Sequence, residues 1–339
     1  MKVLELFSGI GGMRAGLTLT SDEHHEFVPV DLNEGCNSIY KDSYGDKPLS
    51  LDIASLPVAW FTKIRADVWT MSPPCQPYTR QGNQRDSQDA RAKPLTHLCA
   101  VLKQLDGLPK MIVLENVKNF ELSDSFQELK SVLQDRGYSL YGYLLNPLYM
   151  GFPNSRLRFF LIAKLDHVAN SFHILTNDPQ VPDYERISLK AFPDRPIGDF
   201  LCRPHSCDGS KLQIPRSLLE KQSAFCFDIV SAESLQSLCF TRAYTQFVNG
   251  TGSVLYSGRV SQMDEMKRPT FQIQSMAELE GFLHYFCPLE AARLNGFSVN
   301  GKNTMLQLRE GCAGGKKYYK AVGNSLNPHV VASIVSRHR

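Results

Sequence analysis

A proline-rich stretch, residues 71–78 (MSPPCQPY), carries the thiol whose surroundings first suggest chemistry. Val68 and Trp69 precede this stretch and predict a short buried strand. The prolines on both sides of Cys75 fix φ and remove backbone donors, so neither a helix nor a strand ladder continues there. A thiol held at such a corner becomes a nucleophile when it ionises. Taken alone, the stretch is also compatible with a proline turn that contains an incidental buried cysteine.

Three charged residues at predicted strand ends are candidates to assist that thiol. Glu115 follows the apolar strand predicted over 111–114, and open α/β sheets place their sites at the carboxyl ends of strands. Arg156 and Arg158 enter the apolar segment 159–163 two positions apart, so their side chains point the same way and form a two-pronged cationic group. Arginines at strand ends also pair with surface carboxylates, which leaves a purely structural role open.

The N-terminal segment, residues 3–17, predicts a strand, a glycine loop and a helix. Gly9, Gly11 and Gly12 permit a tight turn and a close approach of the backbone to a ligand. A second strand ends at Asp31, and an acid about 20 residues after such glycines accepts hydrogen bonds from ribose hydroxyls. This pattern favours a nucleoside cofactor, although Asp31 as a helix N-cap is an open alternative.

The remaining elements must hold these residues at one sheet edge. Residues 80–94 carry almost no apolar side chains, so we expect a mobile loop that closes over a substrate. From about residue 175 the prolines crowd and the alternation of strand and helix is lost, which indicates a second, irregular lobe. The other predicted elements are a loop at 51–53, helices over 95–105 and 125–135, strands over 139–146 and 159–163, a short helix over 289–297, and a turn followed by a final helix within 318–331.

The composition fits a soluble globular enzyme. The chain has 339 residues, a formal net charge of +3, 42% hydrophobic residues and nine cysteines without a CxxC pair. Neither a signal peptide nor a membrane-spanning run is expected, so we predict a reducing compartment, the cytoplasm and also the nucleus. The segment 202–207 (CRPHSC) contains metal-ligand residue types, but without a second ligand pair we expect a structural loop and no metal.

Taken together, the motifs resemble the cytosine-5 methyltransferase family nearly from end to end. The matching blocks are Phe7 to Gly12 (FSGIGG), Asp31, Asp52, Pro73 to Gln76 (PPCQ), Glu115 to Val117 (ENV), Arg156 to Arg158 (RLR), Glu290 to Phe297 and Gly323 to Ser325 (GNS). The resemblance implies an α/β fold with a doubly wound mixed sheet, Rossmann-like, and a smaller irregular target-recognition lobe. The corresponding division assigns 1–178 and 305–339 to the catalytic domain and 179–304 to target recognition.

The resemblance also implies a covalent mechanism. Cys75 would add to carbon 6 of cytosine, which makes carbon 5 a nucleophile toward an activated methyl group. Glu115 would protonate or share a proton with ring nitrogen 3, Arg156 would hold the oxygen at carbon 2, and Arg158 or Arg80 would favour the thiolate.

S-adenosylmethionine is the implied methyl donor, with S-adenosylhomocysteine as the product. Its methionine part would lie over the glycine loop, its ribose at Asp31 and its adenine at Asp52 and Ile53. The full set of implied cofactor-binding residues is Phe7, Ser8, Gly9, Ile10, Gly11, Gly12, Asp31, Leu32, Asp52, Ile53, Ser72, Asn324 and Ser325.

Within the family, the tripeptide Cys239-Phe240-Thr241 is similar to the transfer-RNA branch, whose substrate is an anticodon-loop cytosine of aspartate tRNA. We therefore expect Cys239, Phe240, Thr241 and Arg80 to bind the substrate, with tRNA as partner, DNA as a weaker partner, and a monomeric enzyme. A loop base in RNA is already partly unstacked, which lowers the cost of bringing it to Cys75.

The sequence departs from the family's pattern at three positions. Asn154 replaces the usual glutamine, while His284 and Cys287 replace an arginine and a hydroxyl residue; we expect them to affect lobe packing more than chemistry.

Three other functions are compatible with parts of the sequence. The alternatives are a DNA cytosine-5 methyltransferase, a nicotinamide-dependent oxidoreductase and an inactive nucleic-acid-binding member. The oxidoreductase lacks the third glycine of its loop and leaves Cys75 unexplained, and intact Cys75 and Glu115 argue against the inactive member.

Overall fold

The computed structural model describes residues 1–20, 24–74, 92–168, 171–189, 194–202, 212–299, 305–308 and 315–339. The strands are β1 Lys2–Leu6, β2 Glu26–Val30, β3 Val68–Met71, β4 Met111–Val117, β5 Tyr138–Leu145, β6 Asn154–Ser155, β7 Arg158–Leu165, β8 Ile174–Thr176, β9 Glu185–Arg186, β10 Ile229–Val230, β11 Ser237–Leu238, β12 Val254–Tyr256 and β13 Leu283–Tyr285. The α-helices are α1 Gly12–Thr18, α2 Glu34–Tyr44, α3 Val58–Ile64, α4 Lys93–Gln104, α5 Asp124–Asp135, α6 Arg216–Leu219, α7 Pro288–Leu294, α8 Lys316–Asn324 and α9 Pro328–Arg337.

An eight-stranded mixed sheet in the order β2-β1-β3-β4-β7-β5-β8-β9 forms the framework. The pairs among β2, β1, β3 and β4 are parallel, whereas β7 runs antiparallel to both β4 and β5. Along β4, Ile112 and Leu114 belong to one apolar cluster and Val113 to another, because alternate side chains of a strand point to opposite faces. Helices cover both faces, so the predicted doubly wound α/β fold is confirmed.

Most helices follow the predicted pattern, with local signals at their ends. Helix α5 begins after Ser123, whose hydroxyl accepts from the backbone N–H of Phe126. Helix α9 begins at Pro328 behind an Asn327 cap, as expected for a proline in the first helical turn. The prediction was wrong at 318–322, which belongs to the amphipathic helix α8 and not to a turn.

The small lobe has a sheet and a core of its own. Strands β10, β12 and β13 form a three-stranded sheet over a cluster that includes Ile214, Phe227 and Leu283. The lobe also contacts the segment between β5 and β7, since β11 pairs with β6 in a separate two-stranded sheet and the Asn154 amide donates to Ser237 Oγ and to the Leu238 carbonyl. This placement of Asn154 agrees with the expected packing role.

The large sheet extends past the predicted domain boundary. Strand β9 pairs with β8 in that sheet, so residues 185–186 still belong to it structurally, although 179 is the first residue of the predicted target-recognition domain. The functional division of the chain into 1–178 with 305–339 and 179–304 stays a prediction. None of the helices in the described ranges is sufficiently long and apolar to span a membrane.

Candidate active site

Four sequence-predicted residues lie side by side at one edge of the large sheet. The register pairs Leu6 with both Val30 and Met71, and Met71 with Leu114. The residues that follow this row are Phe7, Asp31, Ser72 and Glu115. The carboxyl ends of the four parallel strands therefore meet where open α/β sheets bind ligands.

The glycine loop after β1 is held in place by Asp31. The backbone N–H of Gly9 donates to Asp31 Oδ2 at 2.8 Å, and that of Asn33 donates to Oδ1 at 2.8 Å. Gly11 has φ +82°, and a Cβ there would lie 2.3 Å from the Tyr44 ring, so only glycine fits. Burial raises the pKa of Asp31, and the two backbone hydrogen bonds oppose that rise. The N-cap alternative is wrong for Asp31, because Asn33 caps α2.

A pocket open to solvent lies at this edge, between the glycine loop and α8. Nine of the predicted cofactor or catalytic residues line it: Phe7, Ser8, Gly9, Ile10, Gly12, Ser72, Glu115, Asn324 and Ser325. Four further lining residues were not predicted: Met13, Cys36, Ala321 and Leu326. Ala321 lies shortly before the GNS block. It could have been predicted as a pocket residue if that block had been interpreted as the end of a helix.

The other predicted cofactor residues lie outside that lining. Gly11 forms the turn described above, and Leu32 is 61% exposed. Asp52 accepts from the backbone N–H of Ala54 at the start of a 3₁₀ turn, where Ile53 is buried. Their contacts with a cofactor, including the ribose contact at Asp31, stay predictions.

Glu115 borders the pocket and is almost fully buried. Its Oε1 lies 3.5 Å from Arg158 Nε, and the Glu115 side chain is 11% exposed. Burial raises the pKa of Glu115, while the charges of Arg158 and then Arg156 oppose the rise. A carboxyl group with a raised pKa beside a pocket can hold a proton for transfer to a ligand.

The predicted nucleophile follows a segment that is tied to the same strand end. The Asn116 amide, next to Glu115 in β4, donates to the Pro73 carbonyl at 3.3 Å. Cys75, Arg80 and residues 81–91 of the predicted closing loop lie outside the described residues, whereas Lys93 and Pro94 open helix α4. The described chain thus brings Pro73 and Pro74, which directly precede Cys75, to the edge of the sheet that carries Glu115.

Arg156 makes contacts different from those its predicted role requires. One terminal nitrogen donates to Cys239 Sγ at 3.0 Å and the Phe240 carbonyl at 3.3 Å, and the other donates to the carbonyls of Gly323, at 3.2 Å, and Ser325. The side chain is 4% exposed. Because its terminal nitrogens already bind protein acceptors, Arg156 joins the small lobe to the end of α8 and is poorly placed to hold a cytosine oxygen.

The two arginines do converge, as their spacing predicted, and the shared target is Cys239. Arg158 donates to Cys239 Sγ at 3.7 Å in addition to the contact from Arg156. Burial alone would raise the pKa of Cys239, but the charges of the two arginines and their hydrogen bonds outweigh it and lower that pKa. Position 239 therefore holds a buried thiol whose pKa the two arginines lower, beside Arg158, the partner of Glu115.

The other predicted substrate residues have structural contacts. Phe240 is buried and stacks edge-to-face on Tyr244 and Phe286. The backbone of Thr241 lies directly against α8, since a Cβ on Gly323 would be 2.2 Å from the Thr241 carbonyl carbon. A role for Cys239, Phe240 and Thr241 in binding substrate stays a prediction.

The fold, the pocket and the strand-end carboxylate are typical of an α/β enzyme with its site at the carboxyl ends of the strands, and the similarity to known sequences gives the class. Residues 1–339 match the family described as C-5 cytosine-specific DNA methylase. The chain therefore belongs to the C-5 cytosine methyltransferase family, which excludes the nicotinamide-dependent alternative.

Several relatives cover almost the whole chain. It is 33% identical to the tRNA (cytosine(38)-C(5))-methyltransferase of Schizosaccharomyces pombe over 99% of this chain and 96% of that protein. It is 30% identical to a Dictyostelium discoideum DNA (cytosine-5)-methyltransferase over 99% of this chain and 93% of the relative. The crystal structure of S. pombe Dnmt2 methyltransferase is similar at a TM-score of 0.79 and 31% identity, covering 99% of this chain and 97% of that one.

Proposed function

We propose that this protein transfers a methyl group to carbon 5 of a cytosine in tRNA, the anticodon loop of aspartate tRNA being the expected target. The observation that carries the proposal is the pocket at the carboxyl ends of the parallel strands, bordered by Glu115 with its raised pKa. The near end-to-end similarity to the S. pombe tRNA methyltransferase supports RNA as substrate. The similarity to a relative named as a DNA methyltransferase makes DNA the second candidate.

The pocket fits S-adenosylmethionine as the donor. It opens at the carboxyl ends of the parallel strands, where open α/β sheets bind ligands, and its wall includes the glycine loop at Gly9 and Gly12. Ser8 Oγ is buried in this wall and has no hydrogen-bond partner among the described residues, so a polar ligand group would satisfy it. S-adenosylmethionine, when bound, supplies the activated methyl group that carbon 5 accepts.

The protein's own residues perform the remaining steps. The Cys75 thiolate adds to carbon 6 of the extruded cytosine and forms a covalent adduct, which makes carbon 5 nucleophilic. Glu115 holds a proton at ring nitrogen 3 and relieves the negative charge of the adduct. The carbon 5 proton then passes to solvent, the proton at ring nitrogen 3 returns to Glu115, and expulsion of the Cys75 thiolate releases the methylated base.

The hydrogen bonds of Arg156 lead us to assign the contact with the cytosine oxygen at carbon 2 to Arg158. Arg158 pairs with Glu115 beside the pocket and is 19% exposed. Arg156 is a positioning residue in this scheme, because it fixes the carbonyls around Asn324 and Ser325. We further propose that the enzyme acts as a monomer in the cytoplasm and the nucleus.

Labelled methyl transfer from S-adenosylmethionine tests the function. Total tRNA and cytosine-containing duplex DNA are offered side by side to the wild type, Cys75→Ala and the control Cys226→Ala, which changes an exposed cysteine of the small lobe. We expect label in tRNA with the wild type and the control, and loss with Cys75→Ala. Label in DNA alone would overturn the RNA assignment, and full turnover by Cys75→Ala would overturn the covalent mechanism.

A further inference from the structure

Two cysteines far apart in sequence meet outside the candidate active site. Cys202 Sγ and Cys287 Sγ are 3.6 Å apart, although the residues are separated by 85 positions. One carboxylate holds both backbones, because Glu290 Oε1 accepts from the Cys202 N–H at 3.0 Å and Oε2 accepts from the Cys287 N–H at 2.8 Å. The Glu290 carboxylate therefore holds the backbones of both cysteines in place and keeps the two sulfurs in contact.

The two thiols differ in access and in acidity. Cys202 is half-buried, whereas Cys287 is fully buried at the N-cap of α7. The hydrogen bond with Cys287 lowers the pKa of Cys202 to about 7, aided by Arg293 and opposed by burial and Glu290. The same sulfur contact and burial raise the pKa of Cys287. Cys202 is thus both the accessible thiol and the one that ionises first.

We propose that Cys202 and Cys287 form a redox-active dithiol that small-molecule disulfides oxidise to an intramolecular disulfide. The Cys202 thiolate attacks one sulfur of the oxidant RS–SR, forming a mixed disulfide and releasing RS⁻. The released RS⁻ accepts the proton of Cys287, whose sulfur attacks Cys202 Sγ, forms the Cys202–Cys287 bond and releases a second RS⁻. The protein loses two electrons and two protons, and the small disulfide becomes two thiols.

The geometry requires only a local adjustment. The sulfurs must approach by about 1.5 Å to reach the S–S bond length of about 2.05 Å, a movement that rotation of the half-buried Cys202 side chain can supply. Arg293 lies beside the attacking sulfur, at 3.4 Å, and its charge favours the thiolate.

A divalent metal ion is the other ligand that this cluster suggests. The ligand atoms of Cys202, Cys287 and Glu290 all lie within 4.8 Å of one another. However, the guanidinium of Arg293 contacts Cys202 and would repel a cation, and both Glu290 oxygens already accept backbone N–H groups. These contacts favour the dithiol over a metal site.

The disulfide would connect two parts of the structure that bear on the pocket. Cys202 follows the 3₁₀ turn Ile197–Phe200, and Cys287 caps α7, which packs against α8. Helix α8 carries Asn324 of the pocket wall. Oxidation would therefore connect the segment before residue 203 covalently to the helices beside the pocket. This consequence does not depend on whether the chain methylates tRNA.

The test uses oxidised glutathione as the small disulfide and the full-length reduced protein. Samples are acid-quenched, the remaining thiols are alkylated, and disulfide-linked peptides are identified by mass spectrometry. The informative variants are Cys287→Ser, whose hydroxyl can still cap α7, and Cys202→Ser; Cys226→Ser, at an exposed cysteine, is the matched control.

We expect the wild type and Cys226→Ser to yield the Cys202–Cys287 peptide pair, which dithiothreitol removes. Cys287→Ser should stop at a glutathione adduct on Cys202, and Cys202→Ser should leave Cys287 unmodified. A stable glutathione adduct on Cys202 in the wild type, without the linked pair, would overturn the proposal. So would stoichiometric zinc in the purified protein that protects both thiols from oxidised glutathione.

Discussion

Replacement of Arg156 by lysine tests whether this side chain joins the two lobes. Arg156 is 4% exposed, and its two terminal nitrogens donate to three backbone carbonyls and one thiol. Lysine keeps the charge but ends in one nitrogen, which can take the place of only one of the two guanidinium nitrogens, so the two contacts of the other are lost. At about 1.5 kcal/mol for each hydrogen bond to a charged group, the free energy of unfolding should fall by about 3 kcal/mol.

Urea unfolding followed by tryptophan fluorescence measures this loss, because Trp69 is buried in strand β3 of the large sheet. The matched control is Arg195→Lys, which alters an exposed ion pair with Asp199 and should change the free energy of unfolding by less than about 0.5 kcal/mol. If Arg156→Lys also stays within about 0.5 kcal/mol of the wild type, the hydrogen bonds of Arg156 do not hold the lobes together.

Three further changes probe the pocket and its support. Glu115→Gln should reduce the single-turnover methylation rate by about 10²–10⁴-fold with little change in RNA affinity, because it removes an acidic proton and keeps the shape; an equal loss of affinity in a binding assay would contradict this role. Gly323→Ala should lower Tm, because its Cβ would lie 2.2 Å from the Thr241 backbone. The control Gly315→Ala, at the N-cap of the same helix, meets no atom within 4 Å and should leave Tm unchanged. Similar Tm values for the two variants would contradict the close approach of Gly323 to Thr241. Burial raises the pKa of Glu5 from 4.5 to about 7, so the native state retains a proton that the unfolded chain loses, and stability should fall as pH rises through that window. Glu5→Gln should remove about 3 kcal/mol of this pH dependence in urea unfolding at pH 4.5 and 8, and parallel pH profiles for wild type and variant would contradict it.

The strand-end residues could be predicted from the sequence because they depend on local patterns. Apolar runs that stop at Phe7, Asp31 and Glu115 indicate parallel strands, and parallel strands bring their carboxyl ends together without further information. The helices α4 and α5 were likewise predictable from their spacing of apolar residues.

Features that depend on contacts between distant segments could not be predicted. The role of Arg156 depends on carbonyls 84 and 167 positions away, and the sequence offers no signal for that placement. The Cys202–Cys287 contact depends in the same way on Glu290, which joins the two backbones. Helix α8 was missed at 318–322 because its glycine-containing end, Gly323 and Asn324, is typical of a turn.

The identity and position of the methylated nucleoside test the proposed tRNA methylation most directly. Purified aspartate tRNA is incubated with S-adenosylmethionine and either the wild type or Cys75→Ala, then digested and analysed by mass spectrometry and by sequencing of the methylated position. We expect one 5-methylcytidine in the anticodon loop with the wild type and none with Cys75→Ala. A methyl group on another atom of the base, or the same product from Cys75→Ala, would contradict it.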